Sequence, residues 1–86
     1  MRVAVFDTYI VMKNEAARHF EIIVPVDQSH EKVIQYGREY LKRAGQDELP
    51  LTTKECIFWH TEAASDNIKK AIKEQGYCIY EIEESN

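Results

Sequence analysis

The segment CIFWH, residues 56–60, places a thiol and an imidazole four residues apart, a spacing that could support several kinds of chemistry. Cys56 and His60 could ligate a metal, act as a nucleophile with its base, or pack in the core. In a regular strand the two side chains share a face, because side chains alternate with a period of two residues. Their Cα atoms would then lie about 13 Å apart, too far to share a metal ion or a proton.

The ligand set for a metal is incomplete in this segment. Zinc sites bring their first ligands together with short spacings such as Cys-x-x-Cys, and they need four ligands. The second cysteine of such a spacing would stand at position 59, which is Trp59 here. The sequence also has no HExxH motif, glycine-rich phosphate loop or Ser-His-Asp arrangement. We therefore predict no metal, no cofactor and no catalytic residue.

The two cysteines, Cys56 and Cys78, are too few for a disulfide-stabilised secreted domain, and both lie in apolar runs. A reactive cysteine needs a nearby base and an electropositive setting that lowers the pKa of its thiol. Lys54 and Glu55, which precede Cys56, do not supply that setting. We expect both thiols to be reduced, buried and structural.

Polar residues also interrupt the first apolar run of the chain. Asp7, Thr8 and Tyr9 stand in its middle, where a buried carboxylate must find partners or titrate at a raised pKa. The favoured interpretation is that Asp7 bonds backbone amides or Thr8 at a strand edge. The alternative is a small enzyme or a remnant metal site. That candidate site would contain Asp7, Tyr9, His19, Cys56 and His60.

Hydrophobic periodicity predicts six elements in a single domain spanning residues 1–86. The strand patterns cover residues 3–12, 18–24, 55–60 and 77–83. With two helical patterns between them, the order is β-β-α-β-α-β. This order predicts an α+β fold, a two-layer α/β sandwich whose four-stranded mixed sheet carries both helices on one face.

The helical patterns are bounded by capping residues. The first follows a side-chain cap at Asp27 or Ser29 and stops before Gly45, and the second stops at Gly76. Gly37 lies within the apolar stripe of the first helix. Because an interior glycine costs about 1 kcal/mol relative to alanine, its presence predicts close packing of this helix against the sheet.

One face of the predicted sheet has no cover. Three of the four strands are apolar on both faces, whereas two helices on one side cover a single face. An uncovered apolar face is typical of an interface or a ligand groove, and two-fold dimers are the commonest assembly. We therefore expect a homodimer, and the alternative is that the loop of residues 46–53 folds over this face. The candidate interface residues are Ile57, Trp59, Tyr77 and Ile79.

Composition excludes several classes of protein. The 86 residues are 44% hydrophobic and 30% charged, which is typical of a soluble globular domain. Apolar runs are too short to cross a membrane, and no signal peptide pattern is present, so we expect a cytoplasmic protein. The net charge of −4, with basic and acidic residues interleaved, argues against binding to nucleic acid. A small-molecule ligand is not identified by the sequence.

Four segments together resemble a family of small bacterial proteins known as the domain of unknown function numbered two-zero-two-four. The segments are VFDTY, HFEI, TTKECIFWHTEAAS and IKKAIKEQGYCIYEIE, so that the resemblance runs nearly end to end. It implies a single α+β domain of this size with no established activity.

The chain departs from the family pattern at two places. Members resemble Glu-Cys-x-Phe-Cys-His in the middle and end in Gly-Cys-Asn, whereas this chain has Trp59 for the second cysteine and ends in Glu-Ser-Asn. If relatives bind a metal through those cysteines, two candidate ligands are absent here, and a haem attachment string is also excluded. We predict a binding or protein-interaction module without catalysis of its own.

Overall fold

The structure, a computed structural model, describes residues 1–11, 17–45 and 51–82. Parts of three predicted segments fall outside these ranges. They are the last predicted residue of the first strand, residues 46–50 of the long loop, and the last predicted residue of the fourth strand.

Six elements appear in the predicted order β-β-α-β-α-β, and the α+β fold class is confirmed. They are β1 (Arg2–Val11), β2 (Ala17–Pro25), α1 (His30–Arg43), β3 (Cys56–Ala63), α2 (Asp66–Gln75) and β4 (Cys78–Ile82). The Ser29 hydroxyl accepts a hydrogen bond from the Lys32 amide and caps α1. Gly76 ends α2 with a φ of 96°, a left-handed conformation that favours glycine. Within the described residues, neither helix has the length and apolarity needed to span a membrane.

The sheet has the strand order β3-β1-β2-β4, and every hydrogen-bonded pair in it is antiparallel. This corrects the expected mixed sheet. A parallel pair would have required β3 and β4 to be neighbours joined by a helical crossover. They lie instead at opposite edges of the sheet, and each pairs with one strand of the central hairpin.

The two helices lie on opposite faces of the sheet, which corrects the expectation that both share one face. The α1 face carries the even-numbered residues of β1, and α1 buries Val33, Ile34 and Leu41 against them. The α2 face carries the odd-numbered residues Val3 and Val5, which pack with residues of α2. Alternate residues of the strands therefore contribute to two separate hydrophobic cores, one beneath each helix.

Helix α2 covers one half of its face. β3 ends beside Arg2 and β4 begins beside Ile23, at the same end of the sheet but at opposite edges. The ten residues of α2 span about 15 Å, which is about the distance between the outer strands of a four-stranded sheet. The helix therefore crosses the sheet once, near that end, and leaves the other half of the α2 face without a helix.

Helix α1 crosses the opposite face more completely. Its first residue, His30, lies over Phe6 with ring centroids 5.0 Å apart, and near its end Tyr40 lies over Phe20 at the same separation. Between them Gly37 approaches the sheet and Leu51, as its place in the apolar stripe predicts. A β-carbon at Gly37 would overlap Leu51 and lie 2.9 Å from Ile22 Cδ1.

We predict that Gly37→Ala destabilises the protein. The alanine gains about 1 kcal/mol of helix propensity, but the added methyl forces Leu51 or Ile22 to move, and overpacking typically costs about 1–3 kcal/mol. The net change in the free energy of unfolding should be a loss, measured by urea denaturation. Gln35→Ala, on the exposed side of the same helix, is the control and should change stability by less than about 0.5 kcal/mol. A more stable Gly37→Ala variant would contradict the tight contact.

Candidate functional site

The part of the α2 face that α2 does not cover is the candidate site, which we call the open half. Exposure along β1 defines its border: Val3 and Val5 are 0% exposed, Tyr9 is 48% exposed and Val11 is 60% exposed. On the other side of the same strand, residues 4, 6, 8 and 10 are all buried. The open half comprises Asp7, Tyr9, Val11, His19, Glu21, Ile57, Tyr80 and Ile82, with Trp59, His60 and Glu62 along its β3 side.

A β-bulge in β3 decides which residues of CIFWH reach the open half. Val5 and Phe6 are consecutive in β1, but their partners in β3 are His60 and Phe58, so Trp59 is an extra residue. An extra residue in one strand reverses the alternation of the residues that follow it. Residue 60 therefore shares the α2 face with Val5, although regular alternation would have placed it with Cys56.

Cys56 and His60 consequently lie on opposite faces of the sheet. Cys56 pairs with Thr8 on the α1 face and is 0% exposed, and burial raises the pKa of its thiol. Its carbonyl oxygen accepts a hydrogen bond of 2.8 Å from His30 Nε2. Because a nucleophilic cysteine must be exposed as a thiolate, Cys56 has the properties of a structural residue.

The other four residues of the candidate enzyme site lie on one face. His19 Nε2 donates to Asp7 Oδ1 at 2.5 Å, and the rings of Tyr9 and His19 meet edge to face with centroids 5.8 Å apart. His60 lies further along the same face, where its Nε2 donates to Glu62 Oε1 at 2.9 Å. The open half thus contains two carboxylate–imidazole pairs but no thiol of CIFWH.

A third carboxylate, Glu21, lies on β2 beside the first of these pairs. Glu21 is directly opposite Asp7 in the β1–β2 pairing, an arrangement of like charges that is unfavourable. Burial raises the pKa of Glu21, and the negative charges of Asp7 and Glu62 raise it further, while His60 and His19 have a smaller opposite effect. The centre of the open half is therefore acidic and partly desolvated.

A shallow groove of about 300 Å³ crosses this centre from one edge of the sheet to the other. Asp7 and Glu21 lie in its middle, and its apolar walls come from both edge strands. The wall residues are Ile57, Phe58 and Trp59 of β3 and Ile82 of β4. Apolar flanks around a polar centre are typical of surfaces that bind a partner.

The structure separates the four candidate interface residues. Ile57 and Trp59 are 59% and 61% exposed along the open half. Tyr77 and Ile79 point to the α1 face, and Tyr77 is fully buried with its ring stacked on Tyr36. Those two residues are therefore removed from the candidate surface, because the register of β4 against β2 assigns them to the other side.

Sequence reasoning missed Glu21, Glu62, Tyr80 and Ile82. Glu21 was recognisable, since it alternates with His19 on the same strand. Tyr80 and Ile82 required the pairing of β4 with β2, which puts Tyr80 opposite Glu21. Glu62 could be placed on this face only once the bulge in β3 was known. The described part of the long loop does not cover the open half either, because Leu51 is buried on the α1 face.

The geometry does not support a metal site at these residues. Among the described residues, no cluster of three or more histidine, cysteine, aspartate or glutamate side chains has an arrangement that could hold a metal ion. The bulge separates Cys56 from His60, so the two cannot ligate one ion.

Comparison with known proteins identifies relatives of this chain. A family model described as "Domain of unknown function (DUF2024)" matches residues 1–82. The NMR structure of protein NE1680 from Nitrosomonas europaea, a structural genomics target, is similar to it with a TM-score of 0.88 and 35% sequence identity, over 100% of both chains. No curated protein matched the chain significantly.

We predict that Cys56 reacts very slowly with a disulfide reagent in the native protein. Its thiol is buried and has a raised pKa, so little accessible thiolate exists near neutral pH. In a Cys78→Ser variant, which leaves Cys56 as the single thiol, the native rate should be at least about 100-fold below the rate in denaturant. The reciprocal Cys56→Ser variant is the control, and Cys78, which is 9% exposed, should react faster. Reaction of Cys56 at the free-thiol rate would support the enzyme hypothesis.

Proposed function

Because the chain belongs to the DUF2024 family, whose description assigns no activity, we propose a function from geometry: a protein-interaction module that binds a second copy of itself through the open half. The observation that carries this proposal is the exposure gradient along β1. One side of the strand is buried from Ala4 to Ile10, whereas the other side changes from buried valines to half-exposed Tyr9 and Val11.

The apolar area supports a protein partner. Aromatic side chains present about 150–250 Å² each, and Tyr9, Trp59 and Tyr80 are 45–61% exposed. Together with Ile57 and Val11 they offer roughly 400–500 Å², more than half of the roughly 800 Å² that a standard interface takes from each partner. The polar centre and its rim can contribute the remainder.

The arrangement of this area favours a second copy. A two-fold rotation about an axis that runs across the strands stacks the open half of one copy on that of the other and keeps the two α2 helices at opposite ends of the contact. The β3 flank of Ile57 and Trp59 would then pack on the same flank of the second copy, and the β4 flank of Tyr80 and Ile82 likewise, at the spacing of about 10 Å that packed sheets adopt.

The face is a better candidate for this contact than the sheet edge. The outer edge of β3 has two features that protect edge strands from pairing. The bulge at Trp59 distorts the strand, and His30 occupies the Cys56 carbonyl oxygen. Phe58 at this edge already packs edge to face on Phe6, with ring centroids 5.7 Å apart.

Catalysis is not part of the proposal. The enzyme alternative needed Cys56 to converge with Asp7, Tyr9, His19 and His60, and the thiol lies on the other face of the sheet from these four residues. A cytoplasmic location is proposed with the binding function, because Cys56 and Cys78 are both free thiols.

We predict a reversible monomer–dimer equilibrium that depends on the flanks. Ile57→Ser with Tyr80→Ser removes one apolar side chain from each flank. Each burial contributes about 1.5–3 kcal/mol when complete, so the dimer dissociation constant should rise at least about tenfold. Sedimentation equilibrium measures this constant, and circular dichroism verifies that the variant folds.

The control removes an equally exposed apolar side chain outside the open half. Val26, which follows the end of β2, is 50% exposed. Val26→Ser should leave the dissociation constant within about threefold of the unmodified protein. A chain that stays monomeric at hundreds of micromolar would contradict the proposed function. An equal loss of affinity in Val26→Ser and in the double variant would contradict the assignment of the contact to the open half.

A further inference from the structure

We propose that the outer edge of β4 is a second surface for self-association, at which β4 of one copy pairs antiparallel with β4 of another. The two four-stranded sheets then continue into each other. This contact lies in the plane of the sheet, whereas the proposed contact between open halves lies on its face. Neither contact requires the other.

The backbone groups of β4 that face outward follow from one hydrogen bond of β1. The Tyr9 amide donates to the Glu55 carbonyl oxygen at 3.0 Å, on the β3 side. Because backbone bonds alternate between the two neighbouring strands, odd-numbered residues of β1 bond β3 and even-numbered residues bond β2. The same alternation, carried through the next two registers, assigns the even-numbered residues of β4 to bonds with β2. The N–H and C=O groups of Ile79 and Glu81 therefore point away from the sheet.

The outer edge of β4 lacks the two protections found at the edge of β3. Its register against β2 is unbroken, and residues 78–82, CIYEI, contain neither proline nor lysine, which commonly protect edge strands. Within the described part of the chain, β4 pairs with β2 alone. The preceding Tyr77 carbonyl oxygen is occupied, because Gln75 Nε2 donates to it at 2.9 Å. The available edge therefore begins at Ile79.

A groove of about 450 Å³, which we call the edge groove, wraps around this edge between the ends of the two helices. Its α1 side includes Tyr40 and Arg43, and its α2 side includes Ala71 and Gln75. A strand added beside β4 points successive side chains to opposite faces of the sheet. The edge groove therefore receives two neighbouring side chains of the added strand, one on each side.

Arg43 gives the α1 side of the edge groove a positive charge. Its guanidinium donates to the Tyr77 hydroxyl, and no carboxylate of the described residues forms an ion pair with it. A guanidinium has several N–H donors, so others remain available for an acidic side chain. The α1 side therefore favours an acidic residue on the added strand.

A second copy of β4 supplies this acidic residue. A two-fold axis perpendicular to the sheet at Tyr80 sets Ile79 of each copy opposite Glu81 of the other, and each such pair exchanges both of its backbone hydrogen bonds. Glu81 points to the α1 face, where it accepts a hydrogen bond from Arg18. In the second copy it lies beside Arg43 of the first, so that the charges across the contact are complementary.

The α2 side of the edge groove is filled in the same register. Ile82 of the second copy lies opposite Cys78 and packs beside Ala71. The two Tyr80 side chains are directly opposed, an aromatic pair that stabilises sheets. The helix ends flank residue 78 of each copy, and these positions are about 13 Å apart along the joined strands. The helices of the two copies therefore do not compete for the same space.

Hydrogen exchange of backbone amides, followed by NMR at several protein concentrations, tests the pairing. In a single chain the Ile79 and Glu81 amides face water and should exchange fast, whereas the Tyr80 amide, bonded to β2, should exchange slowly. Pairing of the two edges should slow exchange at Ile79 and Glu81 at least about tenfold as the concentration rises. Contact between open halves leaves these amides without a bond and should not slow them.

Glu81→Pro removes one outward N–H and leaves the bonds between β4 and β2, because proline is tolerated on the open side of an edge strand. The dissociation constant, obtained from the concentration dependence of exchange at Ile79, should rise at least about tenfold. Circular dichroism verifies that the variant folds.

Arg43→Gln tests the same contact without a change in the backbone. The symmetric contact loses one ion pair at each end, so its dissociation constant should rise about three- to tenfold. Lys42→Gln is the matched control, because it makes the same change in net charge at an exposed neighbour outside the edge groove. It should stay within about twofold of the unmodified protein.

Three results would overturn the inference. Fast exchange of both amides at every concentration excludes the edge pairing, and a dimer found in the same samples by sedimentation leaves the contact between open halves standing. Slow exchange that is independent of concentration contradicts the outward direction of these groups. Concentration-dependent slowing that both Glu81→Pro and Arg43→Gln retain in full contradicts the pairing of β4 with β4 in this register.

Discussion

A ten-residue helix can cross a four-stranded sheet only once, and this limit determines which surface the protein presents. The connection from β3 to β4 joins opposite edges at the same end of the sheet, so α2 must lie across the strands rather than along them. Helix α2 packs on Val3, Val5 and Ile23 and covers them. It does not cover the other half of β1 and β2, where polar residues appear at alternate positions. The open half is thus a direct consequence of the length of one helix.

The second determinant is the single extra residue in β3. The bulge at Trp59 sends His60 and Glu62 to the open half and keeps Cys56 on the opposite, buried side. Cys56 and His60, whose spacing in the sequence suggests cysteine–histidine chemistry, therefore lie on opposite faces of the sheet. The bulge also leaves Trp59 beside the groove, where its side chain is 61% exposed.

Much of the fold was predictable because it depends on local signals. The alternation in β1 and β2, the caps at Ser29 and Gly76, and the close approach at Gly37 all follow from neighbouring residues. The strand directions and the helix sides depend instead on which strands pair, and no local pattern specifies this. The bulge was also unpredictable, since the three consecutive apolar residues of Ile57–Trp59 fit a strand in either register. Of the candidate site, Asp7, Tyr9 and His19 were found by location, whereas Glu21 and Tyr80 required the pairing of distant strands.

The hydrogen bond from His30 to the Cys56 carbonyl oxygen has a consequence for the folding chain. His30 is the first residue of α1, and Cys56 lies on β3, which pairs with β1 on one side and forms the outer edge of the described sheet on the other. The contact that docks the start of α1 therefore also occupies the Cys56 carbonyl oxygen at the edge of β3. A newly made chain in which α1 has not yet docked exposes a bare carbonyl oxygen beside Ile57, Phe58 and Trp59, the combination that promotes pairing between unfinished chains. In the folded protein, the first residue of α1 therefore occupies a carbonyl oxygen at the sheet edge that another chain could otherwise bond.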